Sequence, residues 1–162
     1  MTVTPVSFRI ARHRRGEAGA ALVELAIALP LLVVILVGTI DFGRAFRTAM
    51  IVTNAARAGA QFGSRSVAAS GDTSGMQNVA DAVLAANGMT TGPASAASQA
   101  CFCASDAGLY AGSVACSSTC GGGERLVVSV TVTATRTFSM TSPFPGLPTS
   151  VTITRGHTAR AQ

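Results

Sequence analysis

The sequence predicts an α+β protein: a long N-terminal helix, transmembrane at first and amphipathic beyond, packed on a small antiparallel β-sheet domain that disulfides staple. Three observations predict it. Ala20 to Ile40 form an apolar run with a single charge, Glu24. Arg125 to Phe138 alternate between apolar and polar side chains. Cys101, Cys103, Cys116 and Cys120 crowd together ahead of that alternating run. Composition agrees. Of the 162 residues 48% are hydrophobic and 12% charged, about half the usual charged share of a soluble domain. There is no Trp and one Tyr, which argues against a large aromatic core.

The elements follow in chain order. Residues 1–19 are a basic leader, with Arg9, Arg12, Arg14 and Arg15 against one acid, Glu17. Residues 20–40 are the transmembrane helix. At about 1.5 Å per residue a helix of that length covers about 30 Å, the thickness of the hydrocarbon layer. Nothing else in the chain is long and apolar enough to span. The positive-inside rule places the leader in the cytoplasm and the C-terminal part across the membrane, although Arg44 and Arg47 follow the span. A cleaved signal peptide has a shorter apolar core, about 7–15 residues, and a small-x-small cleavage site. Here the run is longer and passes into Asp41-Phe42-Gly43-Arg44. A plain signal-anchor accounts for everything except Glu24. Pro30 lacks an N–H and clashes with the carbonyl four residues back, which favours a kink, though membrane helices tolerate proline generally.

Residues 41–63 extend the helix. Phe42, Ala45, Phe46, Ala49, Val52, Thr53, Ala56 and Ala60 recur at three- and four-residue spacing and predict its packed face. Arg44, Arg47, Asn54, Arg57 and Gln61 are the polar alternates. Residues 64–162 form the small exported domain. Ser64 to Gly75 is Gly- and Ser-rich and reads as a loop. Met76 to Asn87 suits a short second helix with Ser74 as N-cap and Gly88 beyond its end. Residues 89–99 are small and polar. In the alternating strand Leu126, Val128, Val130, Val132 and Ala134 take one face, and Ser129, Thr131, Thr133 and Thr135 the other. A turn-rich connection at 142–148 leads to Val151–Thr154, which alternates again and can return as an antiparallel partner.

An even number of cysteines in an exported domain implies disulfides. Cys101 and Cys103 are too close in sequence to pair without strain, so each is expected to pair with Cys116 or Cys120. The spacing does not say which goes with which. A zinc site is the alternative, but C-x-C followed by C-x3-C is not the usual pair of C-x2-C knuckles.

The formal charge is +5, and every basic side chain besides the histidines is Arg. Loss of residues 1–19 would remove four of twelve bases and one of seven acids, leaving +2. The remaining Arg are scattered, which argues against nucleic acid as a partner. Beyond the leader there is one His, His157, and no paired-acid motif. The GGG at 121–123 lacks the Lys and Ser/Thr of a phosphate loop and reads as a turn. No enzyme, cofactor or metal is expected.

Glu24 remains. A charge at the bilayer centre costs about 2.5–3.5 kcal/mol on insertion scales, less near the interface. It either marks the cytoplasmic edge of the helix or has a partner. Its neighbours are Gly19, then Ala20-Ala21-Leu22-Val23. This pattern resembles the class III signal of type IV pilins and pseudopilins. The resemblance implies cleavage between Gly19 and Ala20 by a prepilin peptidase, retention of the apolar helix, and Glu24 as fifth residue of the mature chain. A cut after Gly16 would make it the eighth, which does not match. It further implies that Glu24 pairs with the α-amino group of a neighbouring subunit. A free α-amine is mostly cationic at neutral pH, and each charge would relieve the burial cost of the other. Pilin helices often carry a proline, as Pro30 here.

Over a longer stretch, Arg14-Arg15, the Gly-Ala-Ala-Leu-Val-Glu signal, Leu29-Pro30-Leu31-Leu32, Asp41-Phe42-Gly43-Arg44 and Asn54-Ala55-Ala56-Arg57 with Gly59 resemble TadE-like proteins, minor pilins of the tight-adherence (Flp) pilus system. Asp41 is more often Glu in that family, and Leu25 departs from the aromatic of Flp-type major pilins. The resemblance implies a pilin-like fold and a place in the bacterial inner membrane, with the C-terminal domain periplasmic or, after assembly, on the pilus or cell surface. The implied partners are a prepilin peptidase, the major Flp pilin, other minor pilins and the inner-membrane assembly platform. The competing reading is a single-pass envelope protein whose exported domain binds a ligand outside any filament.

Overall fold

The structure, a computed structural model, describes residues 15–89, 95–105, 110–141, 146 and 148–161. The leader before residue 15, Asp106 and most of the 142–148 connection lie outside the described residues. The elements are α1 (Arg15–Gly63), α2 (Val67–Gly71), α3 (Thr73–Ala86), β1 (Ser95–Ala104), β2 (Tyr110–Val114), β3 (Arg125–Ser139) and β4 (Ser150–Arg160). They fall into two compact units, Met1–Ile40 and Asp41–Gln162, with α1 contributing to both.

In the first unit α1 is rich in Leu, Ala and Val and continues through Pro30. The pyrrolidine nitrogen cannot donate to the Ala26 carbonyl, a loss that a long helix survives because its other turns remain bonded. Among the described residues this is the one helix long and apolar enough to cross a membrane, and none of its most apolar window is buried within the protein.

The second unit is a four-stranded antiparallel sheet in the order β2-β1-β3-β4, with helices on one face. Alternation along β3 aims Val130, Val132 and Ala134 at that face. Ile51, Val52, Ala55, Ala56 and Ala60 of α1 and Met76, Ala80 and Leu84 of α3 complete the core. Each fully buried large side chain here, such as Leu84, contributes about 1.5–3 kcal/mol by removal from water. The opposite face of the β3–β4 pair is hydroxyl-rich. Thr131 and Thr158 share a hydrogen bond of 2.8 Å, and Thr135 and Thr154 one of 3.1 Å.

Several elements differ from the sequence expectation. The loop at 64–75 contains α2, capped by Ser66, whose hydroxyl accepts from the Ala69 N–H. The second long helix begins at Thr73, and its N-cap is Asp72, not Ser74. The Asp72 carboxylate accepts the Gly75 N–H and the Ser74 hydroxyl, both at 2.8 Å. These bonds hold its pKa below the ordinary carboxylate value, the Gly75 bond being the larger cause. The small, polar residues at 95–99 are not a connection but the start of β1, whose ten residues pair with β3 from Ser95↔Ala134 to Ala104↔Arg125. Such residues lack β-propensity of their own, and β3 supplies the ladder. β4 runs to Arg160, well beyond Thr154, because β3 offers it a partner along its length.

The packed face of α1 also shifts. Val52, Ala56 and Ala60 are buried as the spacing predicts, and Ile51 and Ala55 join them, but Phe42 and Phe46 are exposed. The sheet and α3 cover only the later turns of the helix.

Candidate functional site: an exposed apolar helix and the Asp41 clamp

The part of α1 before Asp41 presents Leu22, Leu25, Ile27, Leu31, Ile35 and Leu36 on its surface. A continuous apolar surface of this kind needs lipid or other apolar helices to cover it. Gly19 and Ala20 lie near the start of α1, both exposed, and nothing beyond the helix's own neighbouring backbone comes within 4 Å of where a Cβ on Gly19 would stand. Glu24 lies one turn further on and is exposed. Pro30 lies within the same apolar segment and is exposed too.

In the second unit the first residue, Asp41, is a clamp. It is 7% exposed. Its carboxylate accepts the backbone N–H of Thr141, just past β3, at 3.1 Å to Oδ2 and 3.3 Å to Oδ1. The Arg44 guanidinium donates to Oδ1 at 3.0 Å and also bonds the Thr141 hydroxyl. The same guanidinium lies 5.4 Å from the centre of the Phe138 ring. A carboxylate with these donors is tolerated in a buried place, and it fixes the first turn of the part of α1 in the second unit to the end of β3. Sequence reasoning noticed Asp41 as a mark of the end of the span and as part of the Asp41-Phe42-Gly43-Arg44 resemblance, not as a clamp. The available signal was an acid three residues ahead of an Arg, which places the two on neighbouring positions of a helix.

Cys101 is bonded to Cys116 and Cys103 to Cys120, with Cα separations of 5.1 and 5.6 Å. This resolves the connectivity that the spacing left open. Both bridges tie β1 to the segment between β2 and β3. Gly122 and Gly123, at φ of +67° and +82°, turn that segment into β3, a conformation that suits residues without a Cβ.

No described cluster of three or more His, Cys, Asp or Glu is placed to hold a metal. His157 is half-buried on β4, paired across from Val132. A hollow of about 390 Å³ is lined by Phe102, Val127, Ser129, Thr158, Ala159 and Arg160.

No curated protein and no solved structure matches the chain. The family model described as TadE-like protein matches residues 19–61, from the glycine that precedes the apolar helix to the turn of α1 packed on the sheet. Over this N-terminal segment the chain is similar to TadE-like proteins, a family associated with the tight-adherence pilus system.

Proposed function

We propose that the protein is a minor pilin, or pseudopilin, that takes part in assembling a tight-adherence pilus. The observation that carries this reading is the coincidence of the family match with a membrane-length helix, exposed along its apolar length and bearing Glu24 near its start. In this reading a prepilin peptidase cuts between Gly19 and Ala20. The new α-amine of one subunit pairs with Glu24 of the next, and the retained helix packs among the helices of the major Flp pilin and other minor pilins. The membrane is the bacterial inner membrane, the leader faces the cytoplasm, and the assembly platform there is a further partner. The role is structural rather than enzymatic.

Mass spectrometry of the N-terminus, with and without the cognate peptidase, tests the processing. An N-terminus at Ala20 only when the peptidase is present is the expected result. An intact N-terminus would leave an ordinary signal-anchor. Glu24→Ala should insert normally into the membrane and abolish assembly; normal piliation with this variant would remove the pairing role.

One observation favours a second reading, a single-pass envelope protein with a ligand-binding exported domain. It is the hollow beside Phe102 and Arg160, which joins an apolar floor to a guanidinium and two hydroxyls. That reading predicts no peptidase-dependent cleavage.

A further inference from the structure

Beyond the membrane-length segment, α1 keeps an exposed apolar stripe. Phe42, Phe46 and Met50, four residues apart and therefore on one face, are 74%, 60% and 53% exposed. A groove of about 260 Å³ flanks the stripe, lined by Phe46, Ala49, Met50, Thr53, Asn54 and the β4 residue Arg155. We propose that this stripe and groove dock an acidic, apolar-striped helix of another membrane-anchored subunit. The proposal rests on the pilin reading above and names the partner chemistry that the exported part of α1 selects.

Lipid can reach Phe42 and Phe46 at the near end of this surface, but not Met50 and the groove beside it. Met50 lies nine residues along α1 from Asp41, about 14 Å at helical rise. The headgroup layer adds only about 5–8 Å to each side of the hydrocarbon. Keeping Met50 within it would need a tilt of about 55°, beyond the range of up to about 40° seen for membrane helices. Charge then selects the partner. Phe42 to Gly63 contains Arg44, Arg47 and Arg57 and no Asp or Glu, and β4 adds Arg155 and Arg160, again without an acid. Arg44 is engaged by Asp41, whereas Arg47, Arg57 and Arg155 are exposed around the stripe. A second copy, inserted in the same direction and facing this one, would set these cations against their own counterparts. A helix with acids flanking its apolar residues pairs with them instead, which is how charge sets partner choice between packed helices.

The test is photocrosslinking in cells that assemble the pilus, with a benzophenone side chain placed in the full chain at position 46, 50 or, within the span, 31. Phe46 and Met50 are exposed, so their replacement leaves the core filled. The expected product joins position 46 or 50 to a segment of another membrane-anchored chain that carries Asp or Glu within two turns. Arg57→Glu and Arg155→Glu together should cut its yield about tenfold. Products with lipid only, products with a second copy only, no product at 46 and 50, or a yield indifferent to the charge reversals would each overturn the proposal. Position 31 separates the two failures. If it crosslinks to other pilins while 46 and 50 do not, the docking proposal falls and the pilin reading stands. If position 31 finds no pilin either, the pilin reading itself fails.

Discussion

Gly59→Ala should destabilise the second unit, although alanine is the better helix former. A Cβ at position 59 would stand 2.7 Å from the Met76 carbonyl oxygen, 3.0 Å from Val132 Cγ1 and 3.2 Å from Ala80 Cβ. The first contact is with backbone at the start of α3, which cannot swing aside. Overpacking of this kind costs about 1–3 kcal/mol. Replacing Gly by Ala inside a helix returns about 0.5–1 kcal/mol. The net expectation is a loss of up to about 2.5 kcal/mol, read as a fall of several degrees in the melting temperature at about 4 °C per kcal/mol. Gly43→Ala is the control. It lies on the same helix, and nothing stands within 4 Å of its added Cβ, so only the propensity gain applies. Thermal melts of the full chain in detergent, followed by near-UV circular dichroism, compare the two. If Gly59→Ala melts as high as Gly43→Ala, α1 does not approach α3 as closely as the structure has it, and the reasoning fails.

Other perturbations read the remaining supports. Asp41→Ala removes the charge-assisted hydrogen bonds from the Thr141 N–H and Arg44 and should cost about 1.5–3 kcal/mol, with Asp41→Asn milder; hydrogen exchange at the Thr141 amide should speed up in the alanine variant and not in a distant control amide. Removing either disulfide by paired Cys→Ser substitution should cost about 2–4 kcal/mol, and peptide mapping without reductant should recover the 101–116 and 103–120 links, any 101–120 link contradicting the structure. Asp72 has a lowered folded-state pKa, so its stabilising contribution is fully present above the unfolded value of 3.8 and is lost as pH falls through the lower folded value. Asp72→Asn should therefore flatten the acid limb of the stability curve below about pH 4, and an unchanged limb would show that the cap does not titrate with the fold.

The long apolar helix, its extension to Gly63 and the alternating β3 were legible because each carries a strong period or an unbroken apolar run. β1 was not, and the reason is physical. Ser95, Ala96, Ala97 and Ser98 have no strand preference of their own and become a strand because β3 offers an unpaired edge. The N-cap of α3 was misplaced by two residues because Asp72 and Ser74 are both good caps; in the fold the Asp72 carboxylate takes the Gly75 N–H and the Ser74 hydroxyl donates to that carboxylate instead of capping. Cysteine count announced the staples, whereas their connectivity depends on which sulfurs the β1 register brings near residues 116 and 120. The Asp41 clamp spans a hundred residues of sequence, and no local pattern carries the identity of its partner, Thr141.

The distribution of side-chain size along α1 bears on its role. A helix that served only to build this domain would turn its largest apolar residues inward. Here the inward positions are mostly small, with Ala55, Ala56, Gly59 and Ala60 against the sheet and α3, while Phe42, Phe46 and Met50 point outward. The small residues let the backbones approach closely, so the core is closed without the aromatic rings. The rings therefore add little to the stability of this chain, and in water they cost it solubility. Truncating Phe46 to Ser should leave the melting temperature within about 0.5 kcal/mol of equivalent stability, as for surface substitutions generally. If the same substitution abolishes pilus assembly while the protein folds and inserts, the ring acts on another molecule. If it unfolds the second unit instead, the outward face of α1 belongs to the fold and not to an interface.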